Sequence, residues 1–532
     1  MQEVLFQYEL NPTTWVYFSS LLTLAIFFKF SRLWSIRNVD LLGLIALAPG
    51  LLLISLGHQG TQRQNQAAIE DAAPPADATQ AQQAVAAGDI AAGEAATGVT
   101  DQAAAANEAT EDDTLEAAPA ETAPTISRLE SLGYTWLFVV GVFFLIRLLA
   151  DPLLARRPLL EPNLTAGGLT FLALCLFVFL MANVITADVP EPPVAPGGDQ
   201  AVAQAAVPAV AVNEDNPVAD GAPPESAAPE VIPPGSEAVQ AAAPRKIKAP
   251  GFTVLDMFPR FPSRAFGPNP VLDQNLYQGK AVYVVTGRLL TIFAHVMIVA
   301  GLIYLGTRYF NNYWTGIGMA TLYLMLPYTA YLVGDLRHAA PGALLVWMIA
   351  AYRRPVVVGA LLAVAIGAVY YPMFLVPLFV GFYWQRGVLR FAGGLIGTFA
   401  ALLLLVALLA PPGFGSILHH FPQMFSLSTE NLQGFWATQS PYLRIPLVAL
   451  FLAMCCGMAI WPAQKNLGTL ISGSAAIMLG TQFWYPQGGL LFMNWYLPLL
   501  LLTVFRPNLE NRVAVAAFGE RWNRRRLPPQ AA

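Results

Sequence analysis

Charge is what this sequence has least of: Asp, Glu, Lys and Arg make up 12% of its 532 residues, against 56% for the apolar types. A soluble domain covers itself with roughly 25% charged residues. Much of this chain must therefore use lipid as its solvent. Cysteine is scarce too. Cys175, Cys455 and Cys456 each lie in an apolar run, with no CxxC or Cys/His spacing. They report neither a metal site nor a redox compartment, and each is expected to be a buried small hydrophobe. A Walker loop, a GxGxxG after a strand, an HExxH and a serine nucleophile elbow are all missing. An ATP-driven pump, a soluble-type oxidoreductase domain and a zincin are set aside on that ground, and no cofactor or metal is expected. The net charge of −4 arises from acids and bases in different stretches, and nothing indicates a nucleic-acid partner.

What is present is a series of apolar runs. A spanning helix needs about 20 mostly apolar residues. Runs that qualify cover 13–29, 40–57, 133–150, 166–187, 282–306, 314–333, 338–352, 391–410, 444–461, 467–484 and 488–505. The stretch 355–385 is interrupted by Tyr370-Tyr371-Pro372 and reads as two short passes, 355–370 and 372–385, because proline breaks a helix. The expected fold is an all-α polytopic membrane protein of 12–13 transmembrane helices. The start, Met1-Gln2-Glu3-Val4, lacks a basic signal region, and its first apolar run ends in Lys29, Arg32 and Arg37; it reads as a retained spanning helix. Lys and Arg in the short loops fall on one side if the N-terminus is extracytoplasmic and the C-terminus cytoplasmic. This places the protein as multi-pass in a cell inner membrane, with membrane lipids as its surroundings.

The residues 59–130 and 189–250 are rich in Ala, Pro and acids and nearly free of aromatics. They cannot bury enough apolar surface to offset chain entropy and are expected to be long disordered extracytoplasmic loops, spacers or partner tethers. The organisation is then a transmembrane hairpin over 1–58, the loop 59–130, a second hairpin over 131–188 and the loop 189–250. A structured external interface segment, 251–281, follows, then a transmembrane core, 282–505, and a basic cytoplasmic tail, 506–532.

Ionisable residues within or beside a span are costly and mark candidate sites. Arg288 could snorkel outward or hold a phosphate. His295 is expected to be a satisfied core histidine. Gly334-Asp335-Leu336-Arg337-His338 links two spans: Asp335 is either the cap of the next helix or a general base, with Arg337 and His338 as a phosphate cradle. Further outer-face candidates are Asp188, Glu191, Asp256, Asp273, Glu430, Arg444 and the pair His419-His420. Phe483-Trp484-Tyr485 and Trp495-Tyr496 read as an aromatic belt at the outer interface or as a sugar-stacking surface.

One order of motifs resembles a known family. Val333-Gly334-Asp335-Leu336-Arg337-His338 precedes Tyr352-Arg353-Arg354-Pro355, Val358-Gly359-Ala360, Tyr370-Tyr371-Pro372 with Pro377, and the late Asn494-Trp495-Tyr496-Leu497-Pro498. Over 282–505 this resembles the GT-C superfamily of membrane glycosyltransferases, in its polyprenyl-phosphate-mannose-dependent mannosyltransferase-like branch. The resemblance implies hexosyl transfer from a polyprenyl-phosphate sugar donor to an acceptor at the extracytoplasmic face. It also implies an acid in the first large external loop, close to the membrane, that activates the acceptor hydroxyl. With 166–187 as the family's first span, that loop is 188–281 and its acids are Asp188, Asp256 and Asp273. Arg288, Arg337 and Arg444 would bind the lipid phosphate. The sequence departs from the family in having no paired Asp-Asp or Asp-Glu just after that helix. A non-enzymatic scaffold, or a transporter or flippase of a lipid-linked solute, are the competing readings.

Overall fold

A computed structural model describes residues 12–72, 128–154, 160–186, 275–409, 432, 434–486, 488–509 and 512–513. Most of the loops expected to be disordered lies outside these, as do 251–274 and 410–431, but 59–72 continues a helix and 128–130 begins one, where disorder was expected. The described chain is all-α: α1 Pro12–Phe27, α2 Ile36–Ala72, α3 Arg128–Leu149, α4 Ala166–Thr186, α5 Asn275–Arg308, α6 Tyr313–Met325, α7 Pro327–Tyr331 and α8 Leu336–Ala350. It continues with α9 Pro355–Ala368, α10 Val376–Tyr383, α11 Val388–Leu409, α12 Phe435–Thr438, α13 Arg444–Ile460, α14 Leu467–Gln482 and α15 Leu497–Phe505. Among the described residues, six segments are long and apolar enough to cross a membrane: Ile36–Gly60, Arg128–Leu149, Ala166–Ile185, Val285–Arg308, Val388–Leu408 and Pro441–Ile460.

Those long helices form the outside of the bundle. Leu389, Ile396, Leu404 and Leu408 on α11, and Leu450 and Ile460 on α13, face outward where a hydrocarbon phase would cover them. Cys175 and Cys456 share that exposure, and only Cys455 is the buried hydrophobe expected. Exposure costs a thiol little against lipid tails. The interior belongs to α6, α14 and α15. Every residue of α14 and α15 is buried, as is α6 from Thr315 onward. α14 reads Leu-Gly-Thr-Leu-Ile-Ser-Gly-Ser-Ala-Ala-Ile from its start, so it is apolar or small on all sides. A helix of that kind belongs in a core, and its small residues let neighbours approach closely.

Two expected spans are broken. The run 314–333 divides into α6 and α7 because Pro327 forces Leu326 into an extended conformation (ψ 137°), as the residue before a proline prefers. The run 488–505 is a turn at Gly488-Gly489, a 3-10 turn Met493–Trp495, and only then α15. Nine residues rise about 14 Å, roughly half a bilayer core. The break at Tyr370-Tyr371-Pro372 is found as expected, with α9 and α10 joined by a 3-10 turn, Tyr371–Leu375. In contrast, α5 is long for a span. Its backbone begins at Asn275, so it carries 275–281, part of the expected interface segment, as helix.

The basic loops gather at one end of the bundle. Lys29 Nζ donates to Asn163 Oδ1 at 2.7 Å, and Asn163 in turn donates to the carbonyls of Ala25 and Phe28. Trp314 Nε1 reaches the Leu164 carbonyl, and the Arg512 guanidinium lies over the Tyr309 ring. Tyr309 and Tyr383 bond the carbonyls of Ala350 and Tyr352, beside Arg353. At this end also sits a buried ionic network. Arg147 of α3 makes a two-pronged contact with Asp40 of α2 at 2.8 and 2.9 Å and meets Asp151 at 3.1 Å; Asp151 also pairs with Arg506 after α15. Four separate elements are thus tied by two acids and two bases. Sequence reasoning did not single out Asp40, Arg147 or Asp151, although Asp40 and Arg147 fall inside expected spans, where the cost of an ionisable group is itself the signal.

Candidate functional site

At the opposite end, α5, the α7–α8 link and the 483–495 segment converge. The link is short because α7 ends at Tyr331 and α8 begins at Leu336. Asp335 caps α8: its Oδ1 accepts the Arg337 amide at 2.8 Å, one of the donors a helix start leaves unpaired. The capping reading of Asp335 therefore holds, and it fixes where Arg337 and His338 leave the backbone. Thr291 of α5 lies against the Gly334 carbonyl at 3.5 Å. Arg288, one turn earlier on the same face, stands on the same side of the link. His295 is fully buried and satisfied, Nδ1 with the Tyr323 hydroxyl at 2.9 Å and Nε2 with the Val333 carbonyl at 3.3 Å, as expected of a core histidine.

The aromatic groups are not an interfacial belt. Trp484, Trp495 and Tyr496 are each no more than 2% exposed, which places them inside the bundle rather than at a lipid headgroup level. Trp495 Nε1 donates to the Arg337 carbonyl at 2.9 Å, so the late 3-10 turn is fastened to the first turn of α8. Around it the rings interlock: Tyr371 stacks on Trp495 (5.5 Å, 29°), and Tyr485 packs edge-on against Tyr371 (5.1 Å) and Phe492 (5.3 Å). Tyr496 is buried one residue further in. The break in 355–385 thus has a purpose in packing, because the Tyr370-Tyr371-Pro372 turn delivers Tyr371 to this wall.

Charges flank the wall on two sides. Burial pushes the Tyr485 phenol up to about 12, with Arg337 pulling it down and Asp335 pushing it up, so both side chains act on that hydroxyl. Arg444, an outer-face candidate, is buried at this same end (2% exposed), with Nε donating to the Trp484 carbonyl at 3.3 Å; its charge also acts on the Tyr371 hydroxyl. The rings of Tyr371, Tyr485 and Trp495 thus link the Asp335–Arg337 turn, fastened by Trp495, to Arg444 at the Trp484 carbonyl. The structure brings Arg288, Asp335, Arg337 and His338 to one end together with Trp495 and Tyr496. Asp188, Glu191, Asp256, Asp273, Glu430, His419 and His420 lie outside the described residues.

Two buried amides were not foreseen as site residues. Asn494 and Gln482 are no more than 1% exposed, and none of their four side-chain polar atoms has a hydrogen-bond partner among the described residues. Such groups cost about 1–3 kcal/mol each when left unpaired, and a native fold that keeps them does so for a reason. Asn494 is held tightly: a Cβ at Gly342 of α8 would lie 2.3 Å from its carbonyl oxygen, which is why glycine stands there. Among the described residues no group of three His, Cys, Asp or Glu could hold a metal ion.

Fold and site together define the class: an all-α polytopic membrane protein with a ring-walled, charge-flanked polar site at the end opposite its basic loops. No protein-family model, no curated protein and no solved structure matches the chain.

Proposed function

We propose that the protein is a membrane glycosyltransferase that moves a sugar from a polyprenyl-phosphate donor to an acceptor at the extracytoplasmic face. The observation that carries this reading is the Trp495 hydrogen bond to the Arg337 carbonyl, which fastens the Asp335–Arg337 turn to the Tyr371–Tyr485–Trp495 wall, with the buried amide of Asn494 next to Trp495 in the chain. A polyprenyl-phosphate sugar presents an anion, a ring with one apolar face, and hydroxyls. Arg337, with Arg288 beside it, supplies planar guanidinium donors suited to a phosphate. Ring faces at this wall suit the apolar face of a sugar, and free amide atoms suit its hydroxyls. A carboxylate within reach of the acceptor oxygen completes general-base transfer. Asp335 is the acid on hand; Asp256, Asp273 and Asp188 are the others the family resemblance offers. On this reading the basic end is cytoplasmic, the long acidic loops face outward, and the membrane is the cell inner membrane.

The test is sugar transfer in isolated membranes from a set of radiolabelled polyprenyl-phosphate hexoses. Arg337→Ala and Arg288→Ala should each lower transfer by about 100-fold, the scale of losing one preorganised charged donor, with protein abundance unchanged. Asp335→Asn, Asp256→Asn, Asp273→Asn and Asp188→Asn then identify the base as the variant that loses transfer while still binding donor. Full transfer in both arginine variants ends the proposal.

A further inference from the structure

A cavity lies at the basic end, far from the ring wall. It has a volume of about 800 Å³ and opens between α10 and α13, with Val376, Val380, Phe382, Ile460, Gln464 and Lys465 among its lining. Pockets for drug-sized ligands run from roughly 300 to 1,000 Å³, so this one is large enough for more than water. Its walls are mostly apolar. Among the described residues its one charged lining residue is Lys465, which is only 5% exposed.

Lysines at membrane ends ordinarily snorkel to water. Lys465 does the reverse. Its ammonium is turned inward and held by the carbonyls of Ala459 at 2.9 Å and Pro462 at 3.0 Å. An ammonium has three donors, which leaves one for a ligand. Glycine at 381 makes room for it: a Cβ there would sit 3.1 Å from Nζ and 2.4 Å from the Ala459 oxygen. Among the described residues no carboxylate lines the cavity. Burial lowers the Lys465 pKa. A buried cation without an anion is costly, so the cavity is electrostatically incomplete in itself.

The position says which anion completes it. α13 belongs to the lipid-facing surface, and Trp384, just after α10, and Trp461, just after α13, are exposed beside the cavity, at 71% and 55%. Indoles so placed mark a headgroup level. Arg386 and Arg390 are exposed close by on the chain leading into α11.

We propose that this cavity holds one anionic phospholipid, with its phosphate on Lys465 and an acyl chain along Val376, Val380 and Ile460. The inference is independent of sugar transfer. The full chain is reconstituted in vesicles of equimolar phosphatidylcholine and phosphatidylglycerol, extracted in mild detergent, and its retained lipid counted by native mass spectrometry. The wild type should keep one phosphatidylglycerol. Lys465→Gln should lower that occupancy about tenfold, the effect of one lost charge-assisted hydrogen bond. Lys465→Arg should keep it, and Val380→Trp, which fills the cavity and leaves the charge, should abolish it. Lys465→Gln removes a buried charge and should fold; should it not, Val380→Trp against Lys465→Arg decides. Equal retention of phosphatidylcholine, undiminished phosphatidylglycerol in both Lys465→Gln and Val380→Trp, or displacement of the lipid by inorganic phosphate would each overturn the proposal.

Discussion

The two ends of this bundle handle buried polarity in opposite ways. At the basic end, Asp40, Arg147, Asp151 and Arg506 answer one another across four elements, and backbone carbonyls there find Asn163, Tyr309 and Tyr383. At the other end, the amides of Asn494 and Gln482 are buried without partners among the described residues, beside rings and flanking charges. Within lipid, apolar burial does not drive helices together, and packing and polar contacts must do so. An end that pairs its buried polar groups, as this one does apart from atoms such as Arg506 Nε and the Thr315 hydroxyl, is therefore built to hold. An end that leaves them unsatisfied gives up stability, and that is the usual mark of a site kept for a ligand.

Two aspartates make the contrast measurable. Asp151 is fully buried between two guanidinium groups, whereas Asp335 is half-buried and serves as a cap. Asp151→Ala strands buried Arg506 and should cost about 3–5 kcal/mol, the penalty for breaking a buried pair from one side. Asp335→Ala should cost only about 1 kcal/mol, the loss of an N-cap. Thermal unfolding in detergent, followed by fluorescence-detected size exclusion, reads both. Equal losses would erase the distinction between the ends.

Much of this architecture was legible in the sequence, and the failures have physical causes. Apolar runs with basic flanks gave the long helices, and Tyr370-Tyr371-Pro372 gave the break between α9 and α10. Pro327 and Gly488-Gly489 were equally visible, yet apolarity alone made 314–333 and 488–505 look continuous. Hydropathy measures what a segment avoids, not whether its backbone stays helical, and a half-span enclosed by other helices needs no length. At the site, Asp335, Arg337 and His338 were readable because charge so near a span is expensive. The burial of Trp484, Trp495 and Tyr496 was not readable, since a ring against lipid and a ring against protein are the same letters. Asn494 and Gln482 carry no charge and so gave no alarm; only three-dimensional packing shows that their amides are shut away. The burial of Arg444 is not readable either, because nothing in the sequence shows that the 484 carbonyl waits beside it.

The unpaired amides give a smaller effect of opposite sign. Asn494→Leu removes a buried polar group without a partner and nearly preserves its shape. It should raise stability by about 1 kcal/mol, since the desolvation penalty disappears with the group. The same change should lower sugar transfer, so that stability and activity move apart. A destabilised Asn494→Leu would show that the amide is satisfied in the native state, and the contrast between the ends would lose its basis. Gln482→Leu is the companion measurement on α14.

The smallest effect tests whether Asp335, Arg337 and Tyr485 truly meet. Burial raises the Tyr485 phenol to about 12 from its ordinary value near 10. For a group raised on folding, the stabilising contribution is full below pH 10 and fades as the pH climbs through 12. The absorbance difference between wild type and Tyr485→Phe isolates this one phenolate. Asp335→Asn removes the neighbour that pushes the phenol up and leaves Arg337 to pull it down, so ionisation should begin at lower pH. Arg337→Gln should delay it. The shifts are opposite in sign, which separates them from any general loosening of the bundle, because loosening would move both variants the same way. A phenol that ionises near 10 and ignores both substitutions would mean that the carboxylate and the guanidinium stand apart from the ring wall, leaving no common site on which donor and acceptor could meet.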